Sequence, residues 1–145
     1  MYSKIVVGTD GSDTASGAVS QAIKLATLCG ATVHLVSGYK MASGMTAMAP
    51  ETVAYMPSEA EVRKTAETVL ERAAAQVRNA GLNVETHACP GNGAEAIIQV
   101  AEGQSADLIV VGSRGMAGAR RLLGSVPNNV AHHAPCAVLI VQTSS

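Results

Sequence analysis

The sequence predicts an α/β domain with a mostly parallel sheet covered by helices on both faces. Short apolar segments alternate along the chain with amphipathic segments of helical period, and turn residues separate them. Strict alternation of strands and helices requires right-handed crossovers, which make the strands parallel. The 145 residues, 48% hydrophobic and 14% charged, fit one globular domain over 1–145.

The first half of the chain contains two predicted strands and two predicted helices. Residues 4–7 form a short apolar run, and the helix at 13–29 follows with its apolar residues on one face. Residues 32–36 are the second strand. The second helix begins after a capping box, Ser58-Glu59-Ala60-Glu61, and its apolar face continues until Gly81 ends it.

A Met-rich segment over residues 40–57 connects the second strand to that helix. It has no period and contains Met41, Met45, Met48 and Met56 together with two prolines. Connections of this length in a compact domain are usually functional flaps or disordered. Two interpretations are therefore open: a flap that responds to a ligand, or a mobile loop whose methionines dock loosely on the surface.

The second half continues the alternation of strands and helices. Residues 83–88 alternate apolar and polar side chains, which is typical of a strand with one solvated face or at a sheet edge. The remaining elements are a helix at 94–101, a buried strand at 108–111, a mostly helical segment at 122–134 and a last apolar strand at 137–141. The fold is thus expected to have five strands.

Composition excludes several classes of function. A net charge of −1 and the absence of Trp and Phe argue against a nucleic-acid partner, and no apolar stretch approaches the length of a membrane span. Three separated cysteines without a CxxC form neither a disulfide framework nor a zinc ribbon. The four histidines include no i, i+4 pair, so we assign them structural or surface roles and expect no metal site. A cytoplasmic protein with a small-molecule or protein partner is expected.

Two glycine-rich loops are predicted to hold a ligand, because ligands of open parallel sheets bind beyond the carboxyl ends of the strands. The first loop is Gly8-Thr9-Asp10-Gly11-Ser12, after the first strand. The second begins at Gly112 and ends at Gly124-Ser125-Val126-Pro127, where Ser125 is expected to cap a helix. Three cations lie between these ends: Arg114, Arg120 and Arg121. The pattern favours a phosphate-binding loop, with a surface connection carrying solvated arginines as the alternative.

A further motif, Gly91-Asn92-Gly93, follows the third predicted strand and formally fits a dinucleotide fingerprint. That fingerprint belongs on the first strand of its unit. We therefore interpret the two glycines as a turn that opens a helix.

The second loop, Gly112-Ser113-Arg114-Gly115 followed by Gly124-Ser125-Val126, resembles the nucleotide-binding signature of the universal stress protein family, G-x2-G-x9-G-(S/T). The segments 7–12 and 132–141 are also similar to that family, so the resemblance covers essentially the whole chain. It implies a Rossmann-like doubly wound sheet of order 3-2-1-4-5 and ATP as the ligand, with Mg²⁺ carried by the phosphates. It also implies a homodimer through the edge strand, from Val138 to Gln142.

The resemblance further implies which residues contact the nucleotide. Asp10 matches an acidic residue beside the ribose and phosphates, with Gly8 and Thr9 on the same wall, and Gly38, after the second strand, matches a backbone position that recognises adenine. The positions that match ribose and phosphate contacts are Val111, Gly112, Gly115, Gly124, Ser125 and Val126. Arg114 is added to this set because of its charge alone.

Three functions follow from these observations, the last of which is an enzyme that acts on an adenylated substrate and whose turnover would be sensitive to Asp10→Asn. The first is an ATP-binding stress sensor, in which the nucleotide sets the conformation of the Met-rich segment and hence the binding of a protein partner. It is not expected to be an enzyme beyond slow ATP hydrolysis, since Asp10 is the only general base evident near the loop. Only eight residues separate Gly115 from Gly124, where the signature has nine. The alternative is therefore a dimeric interaction module of the same fold that has lost nucleotide binding.

Overall fold

The computed structural model describes residues 1–40, 57–113 and 125–142, in which strands and helices alternate. The strands are β1 (Lys4–Gly8), β2 (Thr32–Tyr39), β3 (Val84–Pro90), β4 (Leu108–Gly112) and β5 (Ala137–Val141). The helices are α1 (Asp13–Cys29), α2 (Glu59–Asn79), α3 (Gly93–Gln104) and α4 (Ser125–His133). None of the helices in these ranges has the length and apolarity that a bilayer crossing requires.

The five strands form one parallel sheet in the order β3-β2-β1-β4-β5, which confirms the predicted order. Strand β1 is central, and Val7 pairs with Leu35 of β2 on one side and with Val110 of β4 on the other. The chain winds outward from β1 in both directions. The strand order therefore reverses between β1 and β4, and β3 and β5 form the two edges.

Each face of the sheet has its own apolar core, because successive side chains of a strand point to opposite faces. Ile5 and Val7 of β1 pack with buried residues of α1 and α2, such as Val19 and Leu70. Val6, between them, belongs to the other core, which includes the buried residues of α3 and α4. This arrangement confirms the doubly wound architecture with helices on both faces.

The helix starts and stops agree with the capping signals in the sequence. The Ser12 hydroxyl accepts a hydrogen bond from the Ala15 amide at 3.2 Å, and the Ser58 hydroxyl accepts one from the Glu61 amide at 3.2 Å. Gly30 ends α1 in the left-handed region, at φ 71°. Each cap satisfies a backbone group that the helix end would otherwise leave unpaired.

Several predicted boundaries differ from the structure, such as the ends of β3 and α3, and two of the differences bear on the site. Strand β2 continues to Tyr39 because Gly38 and Tyr39 pair with Cys89 and Pro90 of β3, so Gly38 lies within the strand and not after it. Helix α4 begins at Ser125, which is therefore its first helical residue and not its cap. The Met-rich segment 40–57 and the loop after Ser113 lie, over residues 41–56 and 114–124, outside the described residues.

Candidate functional site

A pocket of about 210 Å³ opens at the carboxyl ends of β1, β2 and β4, where the strand order reverses. The residues at and just beyond the strand ends that line it are Gly8, Thr9, Asp10, Val36, Ser37, Gly38, Val111 and Gly112. This is the position at which doubly wound folds bind their ligands. The segment 114–124, which follows β4 in the sequence, is not among the described residues.

The beginnings of three helices also line the pocket. The residues involved are Thr14 and Ala15 of α1, Gly93 and Ile97 of α3, and Val126 and Pro127 of α4. A helix N-terminus carries unpaired amides and a partial positive charge, so each of the three favours an anion. Among the described lining residues, Asp10 is the only charged side chain. The helix ends are therefore the main source of positive potential that these residues supply.

Hydrogen bonds within the loop hold the residues after β1 in place. The Thr9 amide donates to the Val36 carbonyl at 2.9 Å, and the Gly11 amide donates to the Thr9 hydroxyl at 3.2 Å. The Ser12 amide donates to Asp10 Oδ1 at 2.9 Å. Gly11 has a backbone φ of 83°, which residues other than glycine rarely adopt. The carboxylate of Asp10 thus sits on a preformed turn at the pocket wall.

Two glycines of the lining allow close approaches that a methyl group would prevent. A Cβ on Gly38 would lie 2.8 Å from the Gly91 carbonyl oxygen and 3.0 Å from the Asn92 carbonyl carbon and oxygen, so β2 packs directly on the turn before α3. A Cβ on Gly8 would overlap Cδ1 of Ile97. The small residues here therefore serve the packing of strand ends against α3 as well as the shape of the pocket.

The structure brings together most of the predicted contact residues that it describes. This pocket is lined by Gly8, Thr9, Asp10, Gly38, Val111, Gly112 and Val126. Ser125 begins α4 but is not among the lining residues. Arg114, Gly115 and Gly124 lie outside the described residues.

Several lining residues were not singled out from the sequence. Gly93 belongs to the turn that we interpreted only as a helix start, yet that turn ends at the same sheet edge as the β1 loop. Its place after a predicted strand was the usable signal, since every strand-to-helix turn of a parallel sheet lies at that edge. Val36 and Ile97 offer no such signal, because an apolar residue in a pocket wall looks like one in the core.

The cysteines do not form a nucleophilic site in the described residues. Burial raises the pKa of the Cys89 thiol, against a smaller opposing effect of Arg63. Burial, together with the charge of Asp107, also raises the pKa of Cys136. Both thiols are therefore protonated near neutral pH, as expected of small packing residues.

The fold and the pocket define a doubly wound α/β protein with its ligand pocket at the reversal of strand order. Residues 1–142 match the model of the universal stress protein family. The chain is 37% identical over 150 residues to universal stress protein Rv1636 of Mycobacterium tuberculosis, covering 99% of this chain and 98% of that protein. It is 32% identical over 149 residues to universal stress protein YxiE of Bacillus subtilis, covering 98% and 100%. The chain belongs to the universal stress protein family.

The fold of this chain also matches that of a solved member of the family. The crystal structure of a universal stress protein in complex with cAMP matches this chain with a TM-score of 0.73 and 34% sequence identity, covering 99% of each chain. That protein therefore shares both the fold and a third of the sequence over its whole length.

Proposed function

We propose that this chain is a cytoplasmic universal stress protein that binds an adenine nucleotide, with ATP as its ligand, and acts as a homodimeric stress sensor and not as an enzyme. The observation that carries the proposal is the pocket in which three helix N-termini face the glycine-rich ends of β1 and β4. Small residues let a ligand approach the backbone, and helix N-termini stabilise phosphate charge. The cAMP complex of the 34% identical relative supports the choice of an adenine nucleotide.

The walls of the pocket suit the three parts of a nucleotide. The end of β2 from Val36 to Gly38 lines a wall against which a base would lie, and the Asp10 carboxylate would accept hydrogen bonds from ribose hydroxyls. The first turns of α1, α3 and α4 are suited to the phosphates. A Mg²⁺ ion carried in by the phosphates fits this donor set, because such an ion usually takes only one or two protein carboxylates, here Asp10.

The proposal of a sensor in place of a catalyst rests on the same lining. Asp10 is the only described side chain there that could accept a proton from water, and one of its oxygens already accepts a hydrogen bond from the Ser12 amide. A single carboxylate with a low ordinary pKa is a weak general base at neutral pH. Any hydrolysis of a bound nucleotide is therefore expected to be slow.

Isothermal titration of the purified chain with ATP plus Mg²⁺, and in parallel with AMP and cAMP, tests the proposal. The informative variant is Asp10→Asn, because the amide oxygen can still accept the Ser12 hydrogen bond while the charge is lost. Asp13→Asn is its matched control, since Asp13 is exposed at the start of α1 and does not line the pocket. We expect Asp10→Asn to weaken nucleotide binding by about tenfold, the loss of one charge-assisted hydrogen bond.

One result would favour the second candidate function, a dimeric interaction module that has lost nucleotide binding. If the wild-type chain binds none of the three nucleotides, the proposal of a nucleotide sensor is wrong. Insertion of one residue between Gly115 and Gly124, which restores the nine-residue spacing of the signature, is then the next variant to test. The outer edge of β5 pairs with no other strand that the structure describes, and its residues 138–141 are only half-buried, so it remains available to such a module.

A further inference from the structure

A second group of ligating side chains lies on the part of the sheet opposite to β5, away from the pocket. His34 of β2 pairs in register with Glu85 of β3, and His87 lies two residues further along β3. Residues two apart in a strand share a face, so all three side chains lie on the α3 and α4 face of the sheet. None of the three lines the nucleotide pocket.

The three side chains present nitrogen and oxygen atoms at chelating distances. His34 Nδ1 lies 3.1 Å from His87 Nε2 and 4.0 Å from Glu85 Oε1. One ligand atom from each residue lies within 4.8 Å of both others. The two imidazole nitrogens are hydrogen-bonded to each other in the structure, and an ion that binds both must replace this bond. Two nitrogens bound tetrahedrally to Zn²⁺ at about 2.0–2.1 Å lie roughly 3.3 Å apart, so the replacement changes their separation little while the rings turn toward the ion.

Burial lowers the affinity of both imidazoles for a proton, which competes with a metal ion for the same nitrogens. His34 is 1% exposed, and desolvation lowers its pKa, outweighing the opposite effect of Glu85. Desolvation likewise lowers the pKa of His87, against the same carboxylate. A neutral imidazole keeps one lone pair, which is the form that binds a metal ion. The side chain of Glu85 is 59% exposed and leaves an approach from solvent.

We propose that His34, His87 and Glu85 bind a divalent first-row transition cation, Zn²⁺ in the first instance, as a clamp between β2 and the edge strand β3. Two imidazoles and one carboxylate are a common zinc donor set, and a water completes the tetrahedron. No proton leaves the site on binding. Each neutral ring retains one N–H, on the nitrogen that faces away from the ion. The proton that lies between the two rings in the free protein therefore moves to the far nitrogen of the ring that carries it.

The charges around the cluster are compatible with a dication. Glu85 supplies one negative charge directly at the site. Lys4 is the positive group that acts on His34, but its ammonium donates to the Gln104 carbonyl at 3.0 Å and is held there. A clamp at this position joins two strands whose histidines, His34 and His87, are 53 residues apart in the sequence. Its effect is therefore on the stability of the β3 edge, independent of nucleotide.

The test uses the full chain, free of any purification tag and stripped with EDTA. ZnCl2 and MgCl2 are titrated separately by calorimetry, and CoCl2 is followed by visible absorption, where a tetrahedral site gives intense d–d bands. His87→Ala and Glu85→Gln remove one ligand each at the half-exposed edge strand. The matched control is the double substitution His132→Ala with His133→Ala, two exposed histidines of α4. Cys89→Ser is a second control, because Cys89 follows His87 on the same face of β3.

We expect one Zn²⁺ per chain, no heat with Mg²⁺, and a Tm that rises with Zn²⁺ only. His87→Ala should weaken Zn²⁺ binding by more than the roughly 10–100-fold cost of disturbing an outer-sphere partner, and Glu85→Gln by at least about tenfold. Both control variants should bind as the wild type does, and Co²⁺ should show no thiolate charge-transfer band.

Several outcomes would overturn the clamp. These are no Zn²⁺ binding by the wild type, equal binding by Glu85→Gln and wild type, or loss of binding in either control variant. Circular dichroism establishes whether His87→Ala folds, and Glu85→Gln, which changes an exposed side chain, decides the question if it does not. A failure here leaves the nucleotide titration unaffected, because the two sites share no residue.

Discussion

Replacement of Gly38 by alanine tests whether the end of β2 packs directly on the turn that opens α3. The added Cβ would lie 2.8 Å from the Gly91 carbonyl oxygen, where ordinary contacts begin at 3.4 Å. The atom that must move belongs to the backbone and cannot rotate away as a side chain would. The turn, or β2, must therefore shift by about 0.6 Å, the difference between those two distances.

The magnitude follows from two opposing effects. Forcing a methyl group into a close-packed region costs about 1–3 kcal/mol. Alanine also reduces the entropy of the unfolded chain, which returns about 0.4–1 kcal/mol where the backbone conformation suits it. The net loss in the free energy of unfolding is about 1–2 kcal/mol. For a chain of this size that lowers Tm by roughly 2–8 °C.

Thermal and urea unfolding followed by circular dichroism measure this loss, with Gly103→Ala as the matched control. Gly103 lies in α3, and a Cβ there would have nothing within 4 Å, so the control should melt at or above the wild-type temperature. A shifted turn also moves Asn92, which caps α3, and Gly93, which lines the pocket. If Gly38→Ala melts as the wild type does while Gly103→Ala behaves as expected, the close approach of β2 to the turn is wrong.

Three further predictions concern other contacts. Gly8→Ala should cost about 1 kcal/mol or less, a smaller loss than Gly38→Ala, because its Cβ overlaps Cδ1 of Ile97, the far end of a side chain that can turn away, and adding Ile97→Val should recover part of that loss in a double-mutant cycle of unfolding free energies. Asp107→Asn should cost about 1 kcal/mol at pH 7, since its carboxylate accepts hydrogen bonds from the Ser3 and Lys4 amides at 2.9 and 3.1 Å. Val138→Lys should turn the proposed dimer into a monomer by light scattering, because a charge on an edge strand opposes pairing with a second chain. Circular dichroism establishes that this variant folds, since Val138 also packs against the core.

The pH dependence of Asp107 has a definite sign. Burial alone would raise the pKa of this carboxyl, but the hydrogen bonds from Ser3 and Lys4 outweigh it and hold the pKa below the ordinary 3.8. A depressed folded-state pKa stabilises the fold above the unfolded value, and this stabilisation is lost as pH falls through the folded value. The difference in stability between wild type and Asp107→Asn should therefore shrink below about pH 4.

Each of these predictions has a result that contradicts it. A constant difference between wild type and Asp107→Asn from about pH 7 to about pH 3 would mean that the carboxylate charge is not what Ser3 and Lys4 recognise. Additive costs of Gly8→Ala and Ile97→Val would mean that the two residues do not touch. A monomeric mass for the wild type by light scattering would contradict the predicted dimer. Thr86→Lys on the exposed edge strand β3 should leave the mass unchanged and controls for added charge.

Local signals in the sequence were sufficient for most elements of the fold. The serine cap and apolar face of α2 and the apolar run of β4 depend on neighbours within a few residues, so periodicity finds them. The end of β2 could not be found in this way. Gly38 is a strand residue only because β3, far along the chain, pairs with it, and glycine itself disfavours strands.

The residues of the candidate site likewise fall into those that local sequence predicts and those that it does not. Gly8, Thr9 and Asp10 were predictable because a turn follows an apolar strand, and the family signature added Val111, Gly112 and Val126. Thr14 and Ser37 were not, since their access to the pocket depends on how elements pack. The pairing of His34 with His87 depends on the register of two strands whose histidines are 53 residues apart, and no local pattern reports that register.

The strand order has a consequence for how the chain is made. Strand β1 leaves the ribosome first, yet its neighbour β4 begins about a hundred residues later, and Ser3 must wait for Asp107, 104 positions away. Until then one side of the central strand has no partner, and an apolar strand edge in a nascent chain invites aggregation. The pocket is lined both by β1 and β2 and by β4 and α4, which are synthesised later. A bound ligand would therefore recognise only chains that have been synthesised as far as α4 and in which β4 has joined the sheet.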